Sequence, residues 1–392
     1  MSPTGQAPLQ LRGNQLRITL ENGAVPLEQL YDRLGLQAGE GWLAEVLDGR
    51  RDATTGELAR LSAHARVPMA VLAGSVPPEQ SIAVALRTGL LDSSMAVAPV
   101  LQCARKLLEH FRLLASWYPK EVDERLDFGV QMSRARANDT YVKRSAQRTA
   151  QYLRALLKIG RTQPVGDLRK LVESLGVPVF FMELPDKVHG ITVHEDFDRR
   201  WRAIILVNSK DSWTRQRYTL AHELGHVIFR DSKPVIIDDD REIAESDHVE
   251  FRAECFARYF LVSSEALEKY WANFKQVELD VAVARVMLQF GISRPVAIRA
   301  VADSIHVSYK NLELAAASGS VKALMAKSRL SAQWTTACEG QHDQGASPWL
   351  LELALAAYRD SYVPAQMVAD ILGRSDEVND VEAELVTQGW NR

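Results

Sequence analysis

Two histidines four residues apart, His222 and His226, flank the run that begins with Glu223 in TLAHELGHVIF, residues 219–229. On an α-helix residues i and i+4 share a face, so both imidazoles reach one ion. Neutral imidazole is a good ligand for Zn²⁺. Glu223 follows the first ligand directly. Its carboxylate sits beside the ion and its water, where it takes a proton rather than filling the coordination sphere. The chemistry this predicts is metal-assisted hydrolysis by an activated water. Leu220, Ala221, Leu224, Val227, Ile228 and Phe229 make the helix apolar enough to be buried. Two imidazoles and a carboxylate are expensive to bury without partners, and a metal is the simplest partner for all three.

A catalytic zinc takes three protein ligands and keeps one open position. The third is expected on the next helical pattern, HVEFRAECFARYFLV at 248–262. Phe251, Cys255, Tyr259 and Val262 mark its buried stripe, with Glu250 and Glu254 bordering it one turn apart. Either glutamate can turn toward the ion. His248 is a further candidate, and spacing alone does not choose among them. Cys255 reads as a small core residue and Tyr218, one turn before His222, as packing.

The elements that hold this site follow from pattern changes. A helix, GDLRKLVESLG, leads into an apolar run at 177–182, and a second run, AIILV, spans 203–207. Both runs are short and rich in β-branched or aromatic residues, and they read as strands. Helices are expected at about 213–230 and 242–262. The acidic stretch from Asp231 to Glu250, eight acids against Lys233 and Arg241, reads as the solvated connection between them. Residues 301–392 are mostly helical, with a polar loop near 339–347.

The segment RQRYTLAHELGHVIF, followed by EFRAECFARYFLV, resembles the ImmA/IrrE-type metallopeptidases. These carry R-[FY]-T-L-A-H-E-L-G-H and, downstream, E-x-x-A-N-x-F-A-x-x-L-L. Glu250, Ala253, Phe256 and Ala257 stand at the E, A, F and A positions, while Glu254 stands where the family often has Asn. The resemblance covers about residues 150–300. It implies a zincin-like core and selects Glu250 as the third zinc ligand. It also implies a substrate-facing edge strand before the active-site helix. On that reading His189, Gly190, Ile191, Thr192 and Val193 bind an extended peptide by strand addition.

Residues 26–74 resemble the helix-turn-helix of XRE-type, phage-repressor-like regulators, with LEQLYDRLGL, WLAEVLDGRRDAT and ELARLSAHARV as the matching pieces. The expected recognition helix, about Glu40–Leu47, carries two acids and no Lys or Arg, which opposes phosphate contact. Arg50 and Arg51 are its candidate phosphate contacts, and Trp42 reads as core. A second basic region, 134–161, holds eight basic residues against Asp139. DNA contact through 26–74 or through 134–161 is an expectation of this reading.

The 392 residues are 46% apolar and 25% charged, with a net charge of -3, which excludes a uniformly basic nucleic-acid coat. Cys103, Cys255 and Cys338 are far apart and form no CxxC pair, so neither a disulfide framework nor a thiolate zinc site is expected. No signal-peptide core and no membrane-spanning apolar run is present, so a cytoplasmic setting follows by default.

The fold class expected is α+β and mostly helical. A helix-turn-helix domain is placed at 16–75, a helical connector at 76–160, a metallopeptidase domain with a small sheet packed on the active-site helices at 161–300, and a C-terminal helical accessory domain at 301–392. The resemblance implies a zinc endopeptidase that cleaves a repressor- or antitoxin-type protein to control gene expression under stress or phage-related signals. His₂-carboxylate sites also accept Mn²⁺ or Fe²⁺. The alternative is a DNA-binding regulator whose metal site is a sensor or relic.

Overall fold

Leucines spaced to one face build the first unit. Helices α1 (Leu27–Leu34), α2 (Gly41–Leu47) and α3 (Thr55–Ala65) share a core of Leu30, Leu34, Leu43, Leu47 and Leu61, with Trp42 packed against it half-buried. The start of α3 is a capping box. Glu57 Oε2 accepts from Thr54 N at 2.8 Å, and Thr54 Oγ1 accepts from Glu57 N at 3.3 Å. Arg51 spans Glu57 (2.7 Å) and Glu45 (2.8 Å), and Arg50 pairs with Asp48 at 3.1 Å. The two candidate phosphate contacts are thus engaged by acids of their own unit.

This computed structural model describes residues 16–17, 20, 27–37, 39–65, 72, 98–126, 139–197, 200–231, 235–239, 248–274, 277–316, 319–340 and 344–390. Part of the basic region, 134–138, lies outside them. Contacts group the chain into two compact units, Met1–Lys106 with Glu195–Trp201, and Leu107–His194 with Arg202–Arg392.

The helices continue with α4 (Ala98–Trp117), α5 (Pro119–Leu126), α6 (Asp139–Leu156) and α7 (Leu168–Ser174). Pro119 ends the long helix and opens the next at a position where its missing N–H has no partner to lose. The sheet strands are β1 (Val179–Met182), β2 (Val188–Phe197) and β3 (Arg200–Asn208). Helix α8 (Trp213–Phe229) follows, then β4 (Val235–Asp239) and α9 (His248–Leu261). The strand order is β1-β3-β2-β4, with β1 parallel to β3 and β4 antiparallel to β2. Ala203 to Val207 of β3 are fully buried. An uninterrupted apolar run is what a strand covered on both faces requires.

One expectation is corrected here. The strand containing Gly190–Val193 is not an edge. β4 pairs along it, Gly190 with Asp238, Ile191 with Ile237, Thr192 with Ile236 and Val193 with Val235. The acidic connection is therefore partly a strand: its apolar VII core satisfies the open N–H and C=O groups of β2, a demand that outranks the charge of its surroundings. The polar loop near 339–347 also reaches the sheet, because Gly345 exchanges backbone hydrogen bonds with Phe181 of β1 at 3.0 and 2.9 Å. Arg169 of α7 fastens it by donating to the carbonyls of Gln344 (3.2 Å), Gly345 and Val179 (both 3.1 Å). Phe181 and Gly345 both fall in the unit of Leu107–His194 and Arg202–Arg392.

The remaining helices are α10 (Ser264–Trp271), α11 (Leu279–Phe290), α12 (Arg294–Ile305), α13 (Tyr309–Ala316), α14 (Val321–Lys327), α15 (Ser331–Gly340), α16 (Pro348–Arg359), α17 (Ala365–Ile371) and α18 (Val378–Thr387). Among the described residues no single helix is long and apolar enough to cross a membrane.

Candidate metal centre

Helix α8 is buried on nearly every side, and its polar residues are buried with it: His222 is 3% exposed, Glu223 0% and His226 1%. Helix α9 comes close because Gly225 has no side chain. A Cβ there would lie 3.1 Å from Phe256 Cδ1 and 3.3 Å from Ala253 Cα. That approach carries Glu250 to the histidines. His222 Nε2 and His226 Nε2 are 3.0 Å apart, and Glu250 Oε2 is 3.2 Å from the first and 3.4 Å from the second. Among the described residues these three are the group of His, Cys, Asp or Glu donors close enough to hold one ion. Glu254 and His248, the other candidates, stand outside it.

The chain turns at Arg230, whose φ of 51° closes α8 in the left-handed region, and Asp231 folds back beneath His226. Its Oδ2 lies 2.8 Å from His226 Nδ1. An ionised carboxylate only accepts, so Nδ1 carries a hydrogen, and in the neutral ring that a metal requires Nε2 is left with the lone pair. Arg252 of α9 pairs with the other oxygen of Asp231 and lies over the Phe229 ring, 4.3 Å from its centroid.

The electrostatics of the site favour a cation. Burial alone would raise the Glu250 carboxyl, but hydrogen bonds to His222 and His226 outweigh it and hold it below the usual carboxylate range. Burial would lower His226, yet its bonds to Asp231 and Glu250 push it up to about 10. Two nitrogens and one carboxylate oxygen converging in a buried cluster match the donor set of a divalent metal of the zinc class.

Glu223 lies beside this trio without joining it. Thr192 Oγ1 donates to its Oε2 at 2.5 Å. Gly190, on the same strand, passes directly over it: an added Cβ would meet Thr219 Cγ2 at 2.6 Å and Glu223 Oε1 at 2.7 Å. The five residues expected to bind peptide therefore separate. Gly190 and Thr192 seat the glutamate. Ile191 and Val193 are fully buried, and their backbones pair with β4. His189 sits where the β2–β4 register shifts, and its Nδ1 lies 2.8 Å from Asp211 Oδ2. Asn208 braces the ends of the strands, donating to Val188 O at 2.7 Å. Tyr218 leans on α9, with its hydroxyl 3.5 Å from the Glu254 carbonyl. Cys255 is fully buried, and burial pushes its thiol up.

Sequence reasoning missed Asp231 and the true role of Thr192. Asp231 had a signal, since it opens the acidic stretch five residues past His226. The turn that aims it is made by an arginine, which announces no helix end. Thr192 carried no signal, because its partner lies 31 residues away.

Comparison with known proteins agrees with this geometry. Residues 172–301 match the family model of the peptidase-type IrrE N-terminal-like domain. No curated protein matches the chain.

Proposed function

With an IrrE N-terminal-like peptidase domain at residues 172–301 as the premise, we propose that this chain is a zinc-dependent endopeptidase acting on one regulatory protein of the repressor or antitoxin type, so that cleavage changes gene expression under stress or phage-related signals. The observation that carries the reading is the convergence of His222, His226 and Glu250 with Glu223 held separately beside them. A purely structural site needs no extra carboxylate, and this one is seated by Thr192 and Gly190.

His222 Nε2, His226 Nε2 and Glu250 Oε2 would hold the ion, which when bound supplies Lewis acidity toward a peptide carbonyl and makes water a stronger acid. Glu223 takes the proton of the attacking water and returns it to the leaving amine. Thr192 fixes Oε2 and so sets the plane of the carboxylate for both transfers. Asp231 keeps His226 in the tautomer that presents Nε2. The cytoplasm is the setting we assign, supported by three cysteines that are all free.

Incubating the purified chain with the product of the neighbouring gene as candidate substrate, followed by intact-mass measurement, tests the reading. Two fragments whose masses sum to substrate plus water are expected, and none with Glu223→Gln. An uncut substrate with zinc-loaded wild-type chain overturns it.

A further inference from the structure

The longest acid-free stretch of the chain spans residues 140–166. No Asp or Glu occurs from 140 to 166, while Lys143, Arg144, Arg148, Arg154, Lys158 and Arg161 all do, in a chain whose net charge is -3. The fold sorts these six. Arg154 turns inward and donates to the carbonyls of Phe260 (2.7 Å) and Gly160 (2.9 Å). Lys143 pairs with Asp303 at 3.2 Å. Arg144, Arg148, Lys158 and Arg161 are exposed and have no ion-pair partner among the described residues.

Arg144 and Arg148 are one turn apart on α6, and Lys158, whose φ of 56° lies in the left-handed region, and Arg161 follow in the chain beyond its end at Leu156. Between them the helix shows Tyr152, 53% exposed, and Leu156, 42% exposed. An exposed tyrosine within a row of unpaired cations is the pairing that lets a strand's phosphates and a base plane engage together. A hollow at the C-terminal end is lined by Gln151, Ala155 and Arg161, with Glu265 as its one acid.

We propose that Arg144, Arg148 and Tyr152 on the exposed face of α6, with Lys158 and Arg161 just beyond its end, form a binding surface for single-stranded nucleic acid. The four cations track the backbone and Tyr152 stacks on a base. The reading does not depend on proteolysis, since none of these residues touches the metal centre.

The test is fluorescence anisotropy of the full chain with a fluorescein-labelled 20-mer of thymidylate, against a 20-base-pair duplex and polyglutamate. Four neutralised phosphates predict a log–log salt slope of about -3 for the single strand. Arg144→Gln/Arg148→Gln is expected to weaken binding at least tenfold. Tyr152→Ala is expected to weaken the single strand about tenfold and the duplex hardly at all. All three positions are solvent-exposed, and melting curves matching wild type keep the comparison fair. No binding of the 20-mer at 50 mM salt overturns the proposal. So does binding unchanged by the double variant, which places the contact elsewhere. Polyglutamate that competes equally makes the face a dock for an acidic protein and overturns it as well.

Discussion

Thr192 on β2 and Glu223 on α8 are joined by a hydrogen bond of 2.5 Å from hydroxyl to carboxylate, and the strand bearing the threonine comes this near because residue 190 is glycine. The carboxylate of Glu223 is thus aimed by the sheet, not by its own helix. A base works only if its oxygen meets the proton at hydrogen-bond distance, and errors of an ångström cost about a hundredfold. Thr192→Val keeps the shape and removes the bond. It is expected to lower kcat ten- to a hundredfold with metal content and KM unchanged, and Thr192→Ser is expected to restore much of the loss. Equal kcat for Val and Thr would show that Glu223 needs no such aim.

Asp231 acts on the metal through His226. A carboxylate behind a ligating histidine sets its tautomer and basicity, and its loss commonly weakens metal binding ten- to a hundredfold. Asp231→Asn is expected to show that loss in a competition titration against a zinc indicator, while Glu254→Gln, outside the donor cluster, leaves affinity unchanged. A reversed order would mean that the ion sits closer to Glu254.

Metal binding and folding are linked, because the ion binds the folded centre. With free zinc at about a thousand times Kd the folded state gains ~4 kcal/mol. Calorimetry should therefore show Tm falling on chelation and returning when zinc is added back. In Glu250→Ala the response to zinc should largely vanish. A wild-type Tm indifferent to chelator would deny the centre its ion.

The first unit carries its own pH signature. Arg51 bonded to Glu57, against a small opposing effect of burial and with help from Thr54, lowers the Glu57 carboxyl to about 2. A depressed carboxylate contributes stability that is complete above its unfolded value, near 4.5, and is lost as pH falls toward 2. Allowing for solvent screening, the contribution is ~1 kcal/mol. Glu57→Gln should therefore speed amide exchange in residues 27–65 at pH 7, and the difference from wild type should shrink steadily between pH 4.5 and 2. A gap independent of pH would point to lost packing instead.

Helix α8 was legible as a helix and as a metal-binding face because both facts are local. Imidazoles at 222 and 226 share a face whatever surrounds them, and the apolar flanks demand burial. The same holds for the buried strand at 203–207. Pattern alone left Glu250, Glu254 and His248 open, and only the resemblance preferred Glu250. The geometry brings Glu250 to the histidines, since Gly225 lets α9 settle against α8 in one rotation. The strand at 235–239 was illegible because its charge reads as solvated, while its reason for pairing, the unsatisfied edge of β2, lies more than forty residues upstream.

Chemistry set by short-range spacing, then, belongs to the order of residues: two nitrogens, a neighbouring base and a need for a cation. What the tertiary structure alone decided is which distant groups complete it: Glu250 as third donor, Asp231 behind His226, Thr192 and Gly190 around Glu223, and β4 over the strand that would otherwise lie open. Contacts between residues far apart in the chain depend on how whole elements pack, and no local pattern carries that information.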